Sequence, residues 1–389
     1  MREPVDDIAL YAHWPFCLSL CPYCDFNSHV RENIDQAVWR KAFLRELEHY
    51  AAQVPGRRLT SIFFGGGTPS LMPPETAGAL IARARDLFVT DKDIEITLEA
   101  NPTSAENSTL EGFAEAGIGR LSLGVQALND AALSSLGRTH TAAEARATIA
   151  AAGEIFSRFS FDLIYGRPGQ TPDAWARELD EAIGLARGHL SAYQLTIEAG
   201  TPYFLAQARG DLVLPDDEDG AAMFEHTQEA LAGAGLPAYE VSNHAKPGQE
   251  SHHNLTYWNY RDYLGVGPGA HGRITIDGET HATRQHRAPE VWLKQVLKAG
   301  HSTRTNTVLS RDTKITEMVM MGMRLAAGIN SEEFRRRIGK YPTEVFAPDV
   351  VTRLVGAGYL NWTETGFHAT PPGRQRLNAV INTLLKTRQ

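Results

Sequence analysis

Cysteine is the scarcest reactive residue in this chain of 389, with three copies, all between Cys17 and Cys24. An odd number of thiols packed into one short stretch excludes a disulfide framework, and a reducing compartment would keep them free. Long apolar runs are also missing. No stretch approaches the roughly 18 uninterrupted apolar residues of a membrane span, and Met1-Arg-Glu-Pro-Val lacks the basic and then apolar order of a signal peptide. Both absences predict a cytoplasmic protein. Positive charge is short as well: 38 Lys and Arg stand against 46 Asp and Glu. That balance excludes a surface that coats nucleic acid over its whole area.

What is present is the composition of a folded protein with a large core, 42% hydrophobic and 22% charged, which sets aside disorder, collagen and coiled coil. Strand-like and helix-like segments alternate through the first half. Candidate strands cover 8–13, 59–64, 94–100, 120–125, 159–165 and 190–197, and candidate helices 34–52, 74–88, 105–116, 142–156 and 172–186. Several of these helices open on Pro and close near Gly. Six strand-helix repeats predict an α/β fold with a parallel, partial TIM-type (β/α)6 barrel.

The C-terminal part differs. From Ser310 onward 12 Lys and Arg face 7 Asp and Glu, whereas the preceding part is acidic, which predicts a separate smaller module. Helices over 313–325, 331–338 and 343–357, a hairpin over 359–362 and 366–369, and a last helix from Pro372 resemble a winged-helix-like α+β domain. DNA binding is not expected from it, because Arg335, Arg336 and Arg337 sit beside Glu332 and Glu333 and read as a solvated face. The expected division is a barrel over 1–240, a connecting segment over 241–305 and the C-terminal domain over 306–389.

Three thiols in Cys17-Leu-Ser-Leu-Cys21-Pro-Tyr-Cys24 normally bind metal, and two chemistries can use them. They can hold three irons of a 4Fe-4S cluster and leave the fourth iron open. They can instead join His13 or His29 around a tetrahedral zinc, although zinc ligands usually come as two separated pairs and no second pair occurs here. Three incidental buried cysteines are the blandest alternative. The other polar and Gly-rich motifs fall at the C-terminal ends of predicted strands, where barrel sites lie. They are Gly65-Gly-Gly-Thr-Pro-Ser70, Glu99-Ala-Asn-Pro102, Gly124-Val-Gln126 and Asp162 with Gly166-Arg-Pro-Gly-Gln170. The glycine run lets backbone approach a ligand closely, but it lacks the Lys and Ser/Thr of a phosphate loop and the spacing of a dinucleotide fingerprint.

The cluster loop and these motifs resemble those of the radical S-adenosylmethionine (SAM) superfamily, within the HemN-like group that contains oxygen-independent coproporphyrinogen III oxidase and heme chaperones. The resemblance also rests on Gly200-Thr-Pro-Tyr203 and on His253-Asn-Leu-Thr-Tyr-Trp258. It implies a 4Fe-4S cluster on Cys17, Cys21 and Cys24, and SAM contacts at Tyr11, Tyr23, Gly66, Gly67, Thr68, Glu99, Gln126, Arg138 and Asp162. Gln126, Arg138 and Asp162 correspond to a second SAM in the oxidase, and whether one binds here stays open. Arg167 stands where relatives have an apolar residue.

Two departures separate the chaperone-like from the oxidase-like expectation. The oxidase has a further cysteine two residues after the third, where this chain has Phe26, and a longer arm ahead of the first strand, where only ten residues precede Tyr11. A missing arm shields a radical intermediate less well, so heme carriage is expected ahead of SAM-dependent decarboxylation of coproporphyrinogen III, and no catalytic residue is assigned. The resemblance implies heme bound at the His-Asn-x-x-Tyr-Trp motif. Imidazole can ligate heme iron and Tyr257 and Trp258 offer flat apolar faces, with His253 the first candidate ligand and His252 and His271 alternates. Met318, Met320, Met321 and Met323 read as core at helical spacing. Expected partners are heme, a heme-acceptor protein and an electron donor for the cluster, with peripheral membrane association open.

Overall fold

The computed structural model describes residues 7–103 and 108–386, so the start of the predicted 105–116 helix lies outside the described residues. Six parallel strands run in chain order: β1 (Asp7–Trp14), β2 (Arg58–Gly66), β3 (Val89–Ala100), β4 (Arg120–Gln126), β5 (Arg158–Tyr165) and β6 (His189–Gln194). Each is hydrogen-bonded to the next in parallel register. Their near-continuous apolar runs, such as Ile62-Phe63-Phe64, follow from burial on both faces.

The connecting helices are α1 (Gln36–Ala51), α2 (Pro74–Leu87), α3 (Leu110–Glu115), α4 (Asp130–Ser135), α5 (Ala142–Ile155), α6 (Pro172–Leu185), α7 (Pro202–Ala208) and α8 (Asp217–Gly233). Their starts are set by caps. Asp35 accepts the Val38 N–H at 3.1 Å, and Thr141 and Glu144 form a reciprocal capping box. On α1, Trp39, Phe43 and Leu47 recur at four-residue spacing and are all buried, each contributing on the order of 1.5–3 kcal/mol.

The sheet then grows beyond six strands. β7 (Asn243–Ala245) pairs antiparallel with β6. After α9 (His252–Trp258), β8 (Tyr263–Val266) lies parallel to β1 on its outer side. Beyond it run β9 (His271–Ile276), β10 (Glu279–Gln285) and, after α10 (Pro289–Ala299), β11 (Thr303–Val308), all antiparallel. The sheet order is β11-β10-β9-β8-β1-β2-β3-β4-β5-β6-β7, and its two ends are not paired with each other among the described residues.

The C-terminal part contains α11 (Arg311–Gly322), β12 (Ile329–Asn330), α12 (Ser331–Ile338), α13 (Pro348–Gly356), β13 (Leu360–Trp362), β14 (Gly366–Ala369), α14 (Pro371–Gln375) and α15 (Leu377–Lys386). Its strands order β12-β14-β13. The predicted helix from 343 begins only at Pro348, because Pro342–Glu344 forms a 3-10 turn and Pro348 takes the first helical position. A second apolar core built on Met318, Met323, Phe334, Phe346 and Phe367 also takes in Tyr260. The arginine run is not uniformly solvated: Arg335 pairs with Glu332 on the surface, but Arg337 turns inward to Asp262 at 2.9 Å. No helix of the described residues is long and apolar enough to cross a membrane.

Candidate metal and cofactor site

At the C-terminal ends of β1–β5 the loops enclose a cavity of about 330 Å³. Its wall contains all three cysteines together with Tyr23, Gly66, Gly67, Thr68, Glu99, Gln126, Arg138 and Asp162. Residues from five strand ends thus meet at one place. The cysteine loop is fixed by backbone bonds from Gly67 N–H to Trp14 O (2.7 Å), Thr68 N–H to Phe16 O (2.8 Å) and His29 N–H to Pro15 O (2.7 Å). Gly137, in the left-handed region at φ +68, lies against Pro22, where a Cβ would come within 2.7 Å of the Pro22 ring.

The glycine run is a cradle that side chains would fill. A Cβ on Gly67 would lie 2.7 Å from Phe16 O and 3.0 Å from the Cys17 Sγ, and one on Gly66 (φ +116) 2.7 Å from the His13 ring. Thr68 Oγ1 donates to the Cys17 Sγ at 3.5 Å. Arg138 ties the site together: Nη1 lies 3.5 Å from the Cys21 Sγ, while Nη2 donates to Gly124 O (2.9 Å) and to Asn101 Oδ1. Asn101 in turn donates to Thr68 Oγ1 at 3.1 Å. The Arg138 guanidinium lies where it can balance the negative charge of a metal-ligating thiolate. Desolvation raises the Cys17 and Cys24 thiols above their ordinary value, so neither carries charge without a compensating cation.

Two carboxyls face this space without a basic partner of their own. Enclosure raises Glu99 to about 8, with the nearby Asp162 adding to the shift, and its Oε2 accepts the Gly66 N–H at 3.2 Å. Asp162 is raised to about 6, mainly by desolvation, and its buried Oδ1 has no hydrogen-bond partner. Gln126 is one of few non-glycine residues at positive φ (71), following a register shift in β4 between Leu123 and Gln126.

A cube of four irons suits this donor set, since three free thiols line one cavity and each would bind a different iron. Zinc suits it poorly. Among the described residues no three His, Cys, Asp or Glu side chains converge on a single point, as a tetrahedral ion needs. His13 is also occupied at both ring nitrogens, by Tyr11 OH at 3.0 Å and Asn27 O at 2.9 Å. For SAM, two carboxyls without a salt-bridged cation suit its ammonium and sulfonium charges, and the side-chain-free Gly66 and Gly67 suit close backbone approach.

Tyr11 and His253 lie elsewhere. Tyr11 sits on the far side of Glu99, lining a polar cavity of about 300 Å³ with Asp162, Arg120 and His253, and a larger one of about 800 Å³. His253 is wholly buried and stacks on Phe63 at 5.0 Å. Its Nδ1 contacts Ser61 Oγ (2.9 Å) and its Nε2 contacts Tyr257 OH (2.6 Å), and burial lowers it to about 3. Both ring nitrogens of this expected heme ligand are thus hydrogen-bonded to side chains. His252 is exposed and lines none of the three cavities. His271 lines the large one. The motif is a helix, α9, capped by Ser251. Arg167 forms a buried ion pair with Glu178, which also accepts the Leu128 N–H at 2.7 Å, so it braces the strand-end loops rather than the cavity. Of the methionines, Met318 and Met323 are core, but Met320 and Met321 line the large cavity. Residues that the sequence pattern had not singled out, Tyr193, Arg284 and Arg287, join the sites from distant segments.

A Radical SAM superfamily profile matches residues 11–182, and a HemN C-terminal domain profile matches residues 309–376. The chain is 42% identical to the mitochondrial radical S-adenosyl methionine domain-containing protein 1 of Bos taurus, over 86% of this chain and 80% of that protein. It is 35% identical to heme chaperone HemW of Escherichia coli K12, over 97% and 98% of the two chains. Coproporphyrinogen III oxidase (HemN) of Escherichia coli superposes with a TM-score of 0.79 at 24% identity, over 98% and 91%, a likeness of fold.

Proposed function

The chain belongs to the radical SAM superfamily, in the family that includes heme chaperone HemW, and from that premise we propose that it binds heme and hands it to an acceptor protein. The observation that carries this reading is likeness to heme chaperones along 97% of the chain, at 35% and 34% identity to two of them. In this reading Cys17, Cys21 and Cys24 hold a 4Fe-4S cluster, and Tyr23, Gly66, Gly67, Thr68, Glu99, Gln126, Arg138 and Asp162 hold SAM, with Tyr11 positioning His13 beside the glycine loop. When bound, the cluster supplies an electron able to split the SAM sulfonium.

The chain's own residues do the rest. Arg138 balances the thiolate at Cys21, and the Gly66-Gly67 backbone admits the ligand at a distance no side chain would allow. Glu99, protonated near neutral pH in the empty site, gives up its proton to accept a ligand ammonium, so binding of that cation releases protons. Three thiols reserved for a cluster support a reducing compartment, such as the cytoplasm, as the site of action.

Turnover of coproporphyrinogen III is the alternative, which the three cavity-lining cysteines leave chemically available although Phe26 stands where the oxidase has a further cysteine. Anaerobically loaded protein is given coproporphyrinogen III, SAM and a reductant, and separately titrated with heme. The expected outcome is one tightly held heme per chain and no protoporphyrinogen. Protoporphyrinogen accumulating over many turnovers would overturn the carrier reading.

A further inference from the structure

A cavity of about 800 Å³ falls in the usual range of roughly 300–1,000 Å³ for small-molecule sites. It shares Gly66, Glu99 and Phe26 with the thiol-lined cavity, so the two are neighbours. Its walls are flat aromatic rings and flexible thioethers: Tyr257, Trp258 and Tyr263 from α9 and β8, Met320 and Met321 from α11. Such surface suits a broad apolar macrocycle.

The polar groups come from the β9–β10 hairpin. In its antiparallel register His271 stands directly opposite Arg284, which puts both side chains on one face within reach of each other. Alternation along β9 sends Gly272 and Ile274 into the core and leaves His271 and Arg273 facing the cavity. His271 is exposed, and neither of its ring nitrogens is hydrogen-bonded within the described residues. Partial desolvation, then Arg284, Arg273 and Arg287, lower its pKa, so the imidazole is neutral and keeps a lone pair. Arg273 is already used by Glu317, through contacts at 2.8 and 3.0 Å. Arg284 has a buried Nε with no partner, and Arg287 makes only a long contact to Asn27 Oδ1 at 3.4 Å.

We propose that heme occupies this cavity with His271 on the iron and Arg284 and Arg287 paired with its two propionates. This inference rests on the heme-carrier reading. His253 then acts as a buried brace that holds Tyr257 against Ser61 and Phe63, not as a ligand.

The test is a heme titration of the anaerobically loaded protein, followed by the Soret band, for the wild type and His271→Ala. The substitution is at an exposed position, and unchanged SAM binding serves as the fold control. Loss of an axial ligand should shift the Soret band and weaken heme binding by about tenfold or more. Free imidazole should restore the wild-type spectrum in that variant, which a merely structural role would not allow. Arg284→Ala combined with Arg287→Ala should abolish the preference for heme over its dimethyl ester. An unaltered spectrum and affinity in His271→Ala, with wild-type heme binding intact, would overturn the ligand assignment and leave the carrier reading standing. Absence of heme binding by the wild type would overturn both.

Discussion

At the scale of single residues the site is defined by what will not fit and by which groups cannot be charged. Gly67 is the sharpest case, because a Cβ there meets backbone at 2.7 Å and the Cys17 sulfur at 3.0 Å. Gly67→Ala is expected to lower iron per chain after reconstitution to less than about half of wild type, measured by iron and sulfide assay. Glu99 supplies a pH test. Its pKa in the folded chain is raised from the model-compound value of 4.5 to about 8, so the folded state binds the extra proton. The stability that this protonation gives is complete below about 4.5 and is lost as pH rises through about 8. Glu99→Gln is therefore expected to flatten the fall of thermal stability across that window and to raise the midpoint at pH 8, seen by calorimetry of the unloaded protein. An unchanged slope would contradict the enclosure of this carboxyl. The cysteine loop was legible because thiols are rare and three fell together, and Glu99 and Gln126 because they end apolar strands. Arg284 and Arg287 were not, since their relevance comes only from a hairpin register pairing residue 284 with residue 271. The surroundings of His253 were hidden for the converse reason: sequence shows a histidine beside aromatics but not that Ser61 and Tyr257 engage both its nitrogens.

At the scale of elements, the barrel strands could be read in advance because burial on both faces makes them nearly continuous apolar runs. β8 to β11 escaped notice. Of these, β9 to β11 carry Thr, His and Arg on a half-solvated wing and lack that signature, while β8 is only four residues long. Helix starts were legible where Asp35 or a Pro marks them, while the break at Pro348 overrides an otherwise continuous helical pattern. The irregularity in β4 is functional in placement: the register shift after Leu123 leaves Gly124 O pointing at Arg138 and drives Gln126 to φ 71. A side chain held there costs roughly 1 kcal/mol. Gln126→Gly is expected to stabilise the unloaded protein by up to about that amount while weakening SAM binding, read by denaturation and by calorimetric titration. Loss of both would mean that the amide supports the strand rather than the ligand.

At the scale of the whole molecule, a buried carboxylate helps join the two apolar cores, beside the Arg273–Glu317 pair. Asp262 accepts from Arg57 (3.0 Å) and the Thr275 N–H (2.6 Å) on the sheet side and from Arg337 (2.9 Å) on the C-terminal side. Removing it leaves Arg57 with backbone carbonyls only and Arg337 with its longer Glu333 contact, so Asp262→Ala is expected to cost up to about 3 kcal/mol and to separate the unfolding of the two cores in chemical denaturation. A single, unshifted transition would show that the link is dispensable. The same arrangement places α11, with Met320 and Met321, as one wall of the large cavity, so the C-terminal part helps enclose the proposed heme.

Heme transfer tests the central claim most directly. Protein loaded anaerobically with cluster, SAM and one heme is mixed with a heme-free acceptor, and the Soret absorbance of each is followed after separation. The expected result is heme leaving this chain and appearing in the acceptor faster than free heme partitions by itself. Heme that stays bound, or moves no faster than from an unrelated heme-binding protein, would contradict it.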